Sequence, residues 1–314
     1  MGTARLNSTL GFLLAIGSAA TFALSGIFAS SLLDAGWSAG AATMARIGCS
    51  ALVLLGPTIA LLRGKWDLVR AAWRPVLLFG LLAVVGVQLA FFLAVQYIPP
   101  SLALVIEFTG PVLLMFWFWV RTRVAPSWLT LVGAGIALAG LVAVTGLVAG
   151  AALHPLGIAF ALMAAAGNAC YYALGASSSH GIPTLPFVGI GLAVATVILA
   201  AVGAVGILPM VIGAGQTRLA GVAVSPWAIV GGMVLISTVA AYVLGVGASR
   251  RLGATMSSFT GYSEPVFGIL WTILLLAVVP TGQQWLGAGL IIAGVVTVKV
   301  GEIMRSRRRR LSYP

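Results

Sequence analysis

The sequence predicts an all-α polytopic membrane protein: ten transmembrane helices in two inverted five-helix repeats. Three observations carry that prediction. The chain is 61% hydrophobic and only 7% charged, with a mean hydropathy of +1.14, whereas a soluble domain carries about 25% charged residues. Apolar runs of the roughly 20 residues needed to cross a bilayer recur from Gly11 to Val300. The third is a repeat of five spans, whose matched positions swap their charge. The runs lack the apolar–polar alternation of a membrane β-barrel.

Glycine, proline and charge divide the chain into spans at 8–31, 38–62, 74–97, 101–120, 126–147, 155–177, 185–208, 226–248, 254–278 and 282–303. The first starts behind Arg5 and shows no convincing small-residue cleavage site, so it reads as a retained helix and not a signal peptide. The connections read as short, with no room for a soluble domain. Cys49 and Cys170 fall inside spans two and six. They read as small core residues, being too few and too far apart for a disulfide framework or a metal site. No cofactor is expected.

Charge orients the spans. With the N-terminus inside, fifteen of the seventeen basic residues fall on the cytoplasmic side, Arg218 alone falls opposite, and Arg46 lies within span two. The positive-inside rule therefore predicts both termini in the cytoplasm. A net charge of +12 invites a nucleic-acid partner. The basic residues sit instead in short loops and in the tail "RSRRRR", where they meet anionic lipid head groups.

The repeat is legible in the letters. "EFTGPV" at Glu107–Val112 matches "GYSEPV" at Gly261–Val266, with Pro111 and Pro265 lying 154 residues apart. At the same offset Trp117 meets Trp271, Pro126 meets Pro280, and Gly133–Gly135 meets Gly287–Gly289. From Tyr97 to Val144 no gap is needed, and twelve of forty-eight pairs are identical, which makes the shared Pro–Trp–Pro–GAG order stronger evidence than identity alone. A copy of five spans must sit upside down relative to the first. Arg121 and Arg123 accordingly face Leu275 and Ala277, while Arg250 and Arg251 face Gln96 and Tyr97. The division is residues 1–150 for the first repeat and 151–314 for the second with its basic tail. Inverted repeats of this kind mark secondary transporters, with a substrate site near the midplane.

Two five-span halves, a proline in span four matched by "EP" in span nine, and a proline before spans five and ten resemble the drug/metabolite transporter superfamily, closest to its ten-span EamA-type exporters. "AVQYIPPSLALVIEFTGP" (Ala94–Pro111) is similar to the threonine/homoserine exporter branch, and some relatives export aromatic amino acids. The resemblance covers essentially the whole chain and implies export of small neutral metabolites, often amino acids, out of the cytoplasm, while the short loops and the lack of a targeting segment fit a bacterial inner membrane. Where many relatives carry "GE" before the last helix, this chain has "AVVPTGQQ". Small four-span multidrug relatives depend on a carboxylate in their first span. Spans one and six here contain none, so that proton-exchange scheme does not transfer directly.

Ionisable groups inside a span are expensive and mark function by default. Three qualify: Arg46, Glu107 and Glu264. Glu107 has two readings, a ligand for a substrate ammonium in a hydrated cavity, or a buried carboxylate satisfied by hydroxyls or by Arg46. Arg46 either grips a carboxylate through its planar fork or braces the fold. Pro265 removes a hydrogen bond to the Gly261 carbonyl, so Glu264–Pro265, with Gly110–Pro111 in span four, reads first as a hinge. Glu264 is a ligand second. Gln88 and Asn168 are mid-span donors and acceptors suited to a zwitterion, or else interhelical glue. Tyr171, Tyr172, Tyr97 and Tyr262 are candidate pocket walls or packing residues, and most tryptophans fall at span ends as belt residues.

The leading function is thus alternating-access export of amino acids, coupled to no ion or else to protons. A proton-coupled multidrug exporter is the nearest alternative. A lipid enzyme would want acid–base or metal clusters, whereas His154 and His180 are isolated on opposite sides. A channel would conduct continuously without saturation. The expected partners are a small-molecule substrate and membrane lipid, with a monomer plausible and no nucleic acid.

Overall fold

A computed structural model describes residues 2–146, 154–177 and 181–311, with side chains from residue 7 to 304. The 150/151 repeat boundary, the end of span five at 147, His180 and the side chains of the basic tail lie outside the described residues. Among those described, ten helices are long and apolar enough to span a membrane. They are Asn7–Asp34, Ala39–Leu62, Trp73–Ala94, Pro100–Thr122, Trp128–Thr145, Pro155–Ala176, Thr184–Ala204, Pro226–Leu252, Ala254–Leu276 and Gly282–Met304. Ten is even, so the start of the first of these helices and the end of the last lie on one face, called the terminal face below; the other is the distal face.

Local chemistry sets the helix ends. Prolines open spans four, six and eight at the first turn, where a missing N–H costs nothing. Ser38 and Ser127 cap spans two and five by accepting from Ala41 N (3.2 Å) and Thr130 N (3.1 Å). The inverted repeat reaches down to these details. Span four ends at left-handed Arg123 (φ 57°) and span nine at left-handed Ala277 (φ 52°). Ser127 caps span five, and its counterpart Thr281 accepts from Gln284 N at 3.3 Å ahead of span ten.

Spans three, four, eight and nine are irregular at matched heights. Span three widens into a π-helix over Phe79–Gly86 and span eight over Leu235–Ala240, a feature common at functional sites that periodicity alone did not reveal. Span four breaks between Pro100–Glu107 and Gly110–Thr122, and span nine between Ala254–Gly261 and Ser263–Leu276. Each break falls about one turn before its proline, because the proline has no N–H to give to the carbonyl four residues back.

Spans five and ten pack along their glycines as a pseudo-symmetric pair. A Cβ on Gly133 would lie 2.8 Å from the Gly294 carbonyl oxygen, one on Gly294 2.7 Å from that of Gly133, and one on Gly140 2.6 Å from that of Gly287. Since Gly133 corresponds to Gly287 and Gly140 to Gly294, each contact is the other's image, as in an isologous interface. With no hydrophobic drive inside lipid, such close backbone approach supplies the attraction through packing.

One connection departs from the expected short loops. The 205–225 segment carries an antiparallel pair, β1 (Thr217–Leu219) and β2 (Val222–Val224), closed by Ala220 (φ 53°) and Gly221 (φ 77°). Positive φ at both turn positions is what a two-residue hairpin of this twist requires. The segment lies over the distal ends of spans one and two. Gly215 N donates to the Ala35 carbonyl at 3.1 Å, and Ser38 Oγ donates to the Pro209 carbonyl at 2.6 Å. Trp37, expected as a belt residue, is instead buried there at 4% exposure, edge-on to Trp227 at 5.6 Å. Trp117 and Trp119 face outward.

Candidate functional site

Spans one, two, three, four, eight and nine enclose a cavity of about 460 Å³, whose lining runs from Arg46, Gln88, Glu107 and Glu264 at mid-depth to Leu33 and Ala39 beside the distal loop. It is therefore open toward the distal face. A smaller chamber of about 190 Å³ continues from it, sharing Arg46, Gln88, Glu107 and Glu264 and adding Asn168, Tyr171, Tyr172 and Tyr242.

Each polar group is delivered by a local feature of its helix. Gln88 stands just after the π-helical stretch of span three and lines both chambers. Glu107 ends the first half of broken span four, and Glu264 sits in the first turn of the second half of span nine. Their surroundings differ in sign. The partial positive charge of a helix N-terminus favours the Glu264 carboxylate, while the partial negative charge at a C-terminus favours a cation beside Glu107. Gly110 lets span four approach span six: a Cβ there would fall 2.8 Å from the Ala165 carbonyl oxygen and 3.1 Å from Asn168 Cβ.

Arg46 is 8% exposed. One of its terminal nitrogens donates to Ser25 Oγ, and its Nε has no partner. No hydrogen bond or ion pair among the described residues joins it to Glu107 or Glu264, so the Arg46–Glu107 pairing entertained for a structural role is not formed here. Asn168 Oδ1 is likewise buried without a hydrogen-bond partner. The walls are aromatic: Phe22, Phe91, Phe92 and Phe108 line the larger cavity.

Of the residues singled out in the sequence, Arg46, Gln88, Glu107, Asn168, Tyr171, Tyr172, Glu264 and Pro265 line one or both chambers. Gly110 and Pro111 are buried beside them. Tyr262 does not line them, which corrects its assignment as a pocket wall. It is fully buried, and its hydroxyl donates to the Phe108 carbonyl at 2.7 Å. Phe108 is its own repeat counterpart, 154 residues away, so this bond ties the two broken helices together across the pseudo-axis. Tyr97 also stands apart, stacked on His154 at 4.8 Å. Ser25, Phe22 and Tyr242 were not singled out. Tyr242 occupies the repeat position of Gln88, so applying the 154-residue offset to Gln88 finds it.

Comparison with known proteins places this architecture. The sequence matches the model of the EamA-like transporter family over residues 9–146 and 155–300. It is 24% identical over 241 residues to an uncharacterized inner membrane transporter, YicL, of Salmonella typhimurium strain LT2, covering 74% of this chain and 75% of that protein. A crystal structure superposes with a TM-score of 0.72 at 20% identity, covering 94% of this chain and 97% of its own, a likeness of fold.

Proposed function

Because this chain belongs to the EamA-like transporter family, a multi-pass membrane protein that moves small molecules, we propose that its substrates are amino acids, exported by alternating access from a bacterial cytoplasm in which both termini lie. The observation that carries this reading is one cavity holding Arg46 together with Glu107 and Glu264, the cation joined to neither carboxylate. A zwitterion supplies the missing partners. Its carboxylate meets the guanidinium fork, its ammonium meets Glu107 beside a helix C-terminus, and its side chain lies against the phenylalanine walls. Charge-assisted hydrogen bonds are roughly twice as strong as neutral ones, and a site built for both groups penalises an analogue lacking either. Gln88 and Asn168 complete the polar ring. Gly110–Pro111 and Glu264–Pro265, at the breaks in spans four and nine, are the hinges on which one repeat rocks against the other.

The test is uptake of labelled threonine, methionine and phenylalanine into liposomes holding the purified protein, with and without a pH gradient, beside a Glu107→Gln variant. Saturable, competable uptake without the gradient supports an uncoupled facilitator. Two carboxylates in one chamber favour a second reading, proton-coupled export. That reading requires the gradient to accelerate uptake and Glu107→Gln to abolish the acceleration. Absence of uptake for all three amino acids refutes the substrate assignment.

A further inference from the structure

The repeat can be carried past the ungapped segment by structure. Gly11 packs on Leu252 and Arg251 as Gly157 packs on Ile98 and Tyr97, so spans one and six correspond at an offset of 146. The buried stripe Thr43, Ile47, Ser50, Leu54 of span two recurs as Val188, Leu192, Ala195, Leu199 in span seven, an offset of 145. Every residue on one side of the cavity thereby acquires a counterpart on the other.

On the terminal side the cavity ends on packed rings. Phe79 lies 4.8 Å from Phe187, 5.8 Å from Tyr171 and 6.3 Å from Tyr242, and Tyr172 lies edge-on to Tyr171 at 4.8 Å. Arg250 backs this floor, its guanidinium 5.3 Å from the Phe187 ring centre and donating to the Ile182 carbonyl at 2.8 Å. The counterparts of Phe79, Phe187, Tyr171, Tyr172 and Tyr242 are Met233, Ala42, Ser25, Gly26 and Gln88. All five line the open cavity, and none carries an aromatic ring.

We infer that these two quintets are the opposing gates of the transporter, and that the missing rings of the distal quintet hold the empty protein in the distal-open state. When two inverted halves exchange their arrangements, the distal quintet must pack as the terminal one packs here. Small and flexible side chains at these five positions, in place of five rings, leave that layer of the closure poorly filled, Phe91 and Phe92 of span three standing nearer the distal mouth, and each unfilled contact forfeits dispersion energy. The bias is thus written into side-chain size at equivalent positions. The closed half of the route passes Ser257, which is 2% exposed, accepts from Ser249 Oγ at 3.0 Å and shares a small void with Ser18 and Glu264. This inference rests on the alternating-access reading but on no particular substrate.

The test reads the two gates separately, without substrate. In a Cys49→Ala, Cys170→Ala background, a single Ser257→Cys or Ala39→Cys probe is labelled with a membrane-impermeant maleimide in sealed vesicles of each orientation. The native gates should give fast labelling of Ala39→Cys from the distal face and slow labelling of Ser257→Cys from the terminal face. Exchanging one counterpart pair, Gln88→Tyr with Tyr242→Gln, should raise Ser257→Cys labelling about tenfold and lower Ala39→Cys labelling about twofold or more, as a shift between two states requires. Unchanged labelling at both probes overturns the inference. If the exchange variant loses its monodisperse form, Gln88→Tyr alone, which adds bulk to an open cavity, should still slow Ala39→Cys labelling, and an unchanged rate is again contrary. A labelling shift in the exchange variant, with no amino-acid uptake by the native protein, leaves the gates standing and removes only the substrate assignment.

Discussion

Replacing Tyr262 by phenylalanine removes one oxygen from a fully buried ring and leaves its shape intact. The lost group donates to the Phe108 carbonyl at 2.7 Å, between residues related by the repeat. A typical intramolecular hydrogen bond contributes about 1 kcal/mol, and an acceptor stranded by its removal costs about 1–3 kcal/mol. Interhelical bonds inside a membrane average about 0.6 kcal/mol, because the unfolded chain finds other partners there. The expected loss is therefore about 1 kcal/mol, roughly fivefold in the unfolding equilibrium. Reversible unfolding in mixed micelles measures it, with Tyr172→Phe as a comparison at a chamber-lining tyrosine. Because Tyr262 lies outside the chambers, substrate affinity should stay within about twofold. A Tyr262→Phe protein of native stability that binds substrate tenfold more weakly would refute the placement and return this residue to the site.

Other outcomes follow from the same geometry. Gly140→Ala forces a Cβ to 2.6 Å from the Gly287 carbonyl oxygen, whereas Gly135→Ala meets nothing within 4 Å. The first should destabilise by about 1–3 kcal/mol, as overpacking does, and the second should be neutral in the same unfolding assay. Arg46→Lys keeps the charge and loses the planar fork. The apparent affinity for an amino acid in uptake assays should fall about tenfold or more, with a smaller change for an amine lacking the carboxylate. Trp37→Ala empties a buried site beneath the distal segment. It should cost about 3–5 kcal/mol and lower the temperature of thermal unfolding.

The spans and their inverted repetition were legible because both are written in properties the bilayer enforces, long apolar runs and the swapping of charge between faces. The breaks in spans four and nine were legible for a similar local reason, since Pro111 and Pro265 each withhold an N–H. The π-helical stretches were not, because "FGLLAVVG" and "LISTVA" carry no proline or other local signal that marks a departure from α-helical hydrogen bonding. The hairpin at Thr217–Val224 was hidden by its length, three residues a strand, and by a turn whose first residue is Ala220. Glu107 and Glu264 were found from the cost of a charge in lipid. That logic says nothing about neutral groups, so Ser25 and Tyr242 passed unnoticed. Tyr262 misled because an aromatic beside a hinge looks alike whether it faces a cavity or a carbonyl.

Recognition of the two ends of a zwitterion by Arg46 and Glu107 is the proposal on which the substrate assignment stands. It is tested most directly by competition against labelled phenylalanine in proteoliposomes, using unlabelled phenylalanine, its decarboxylated amine and its deaminated acid. Such recognition predicts strong competition by phenylalanine and at least tenfold weaker competition by either truncated analogue. It further predicts that Arg46→Met narrows the gap between phenylalanine and the amine, and that Glu107→Gln narrows the gap between phenylalanine and the acid. An amine that competes as well as phenylalanine against the native protein would contradict it.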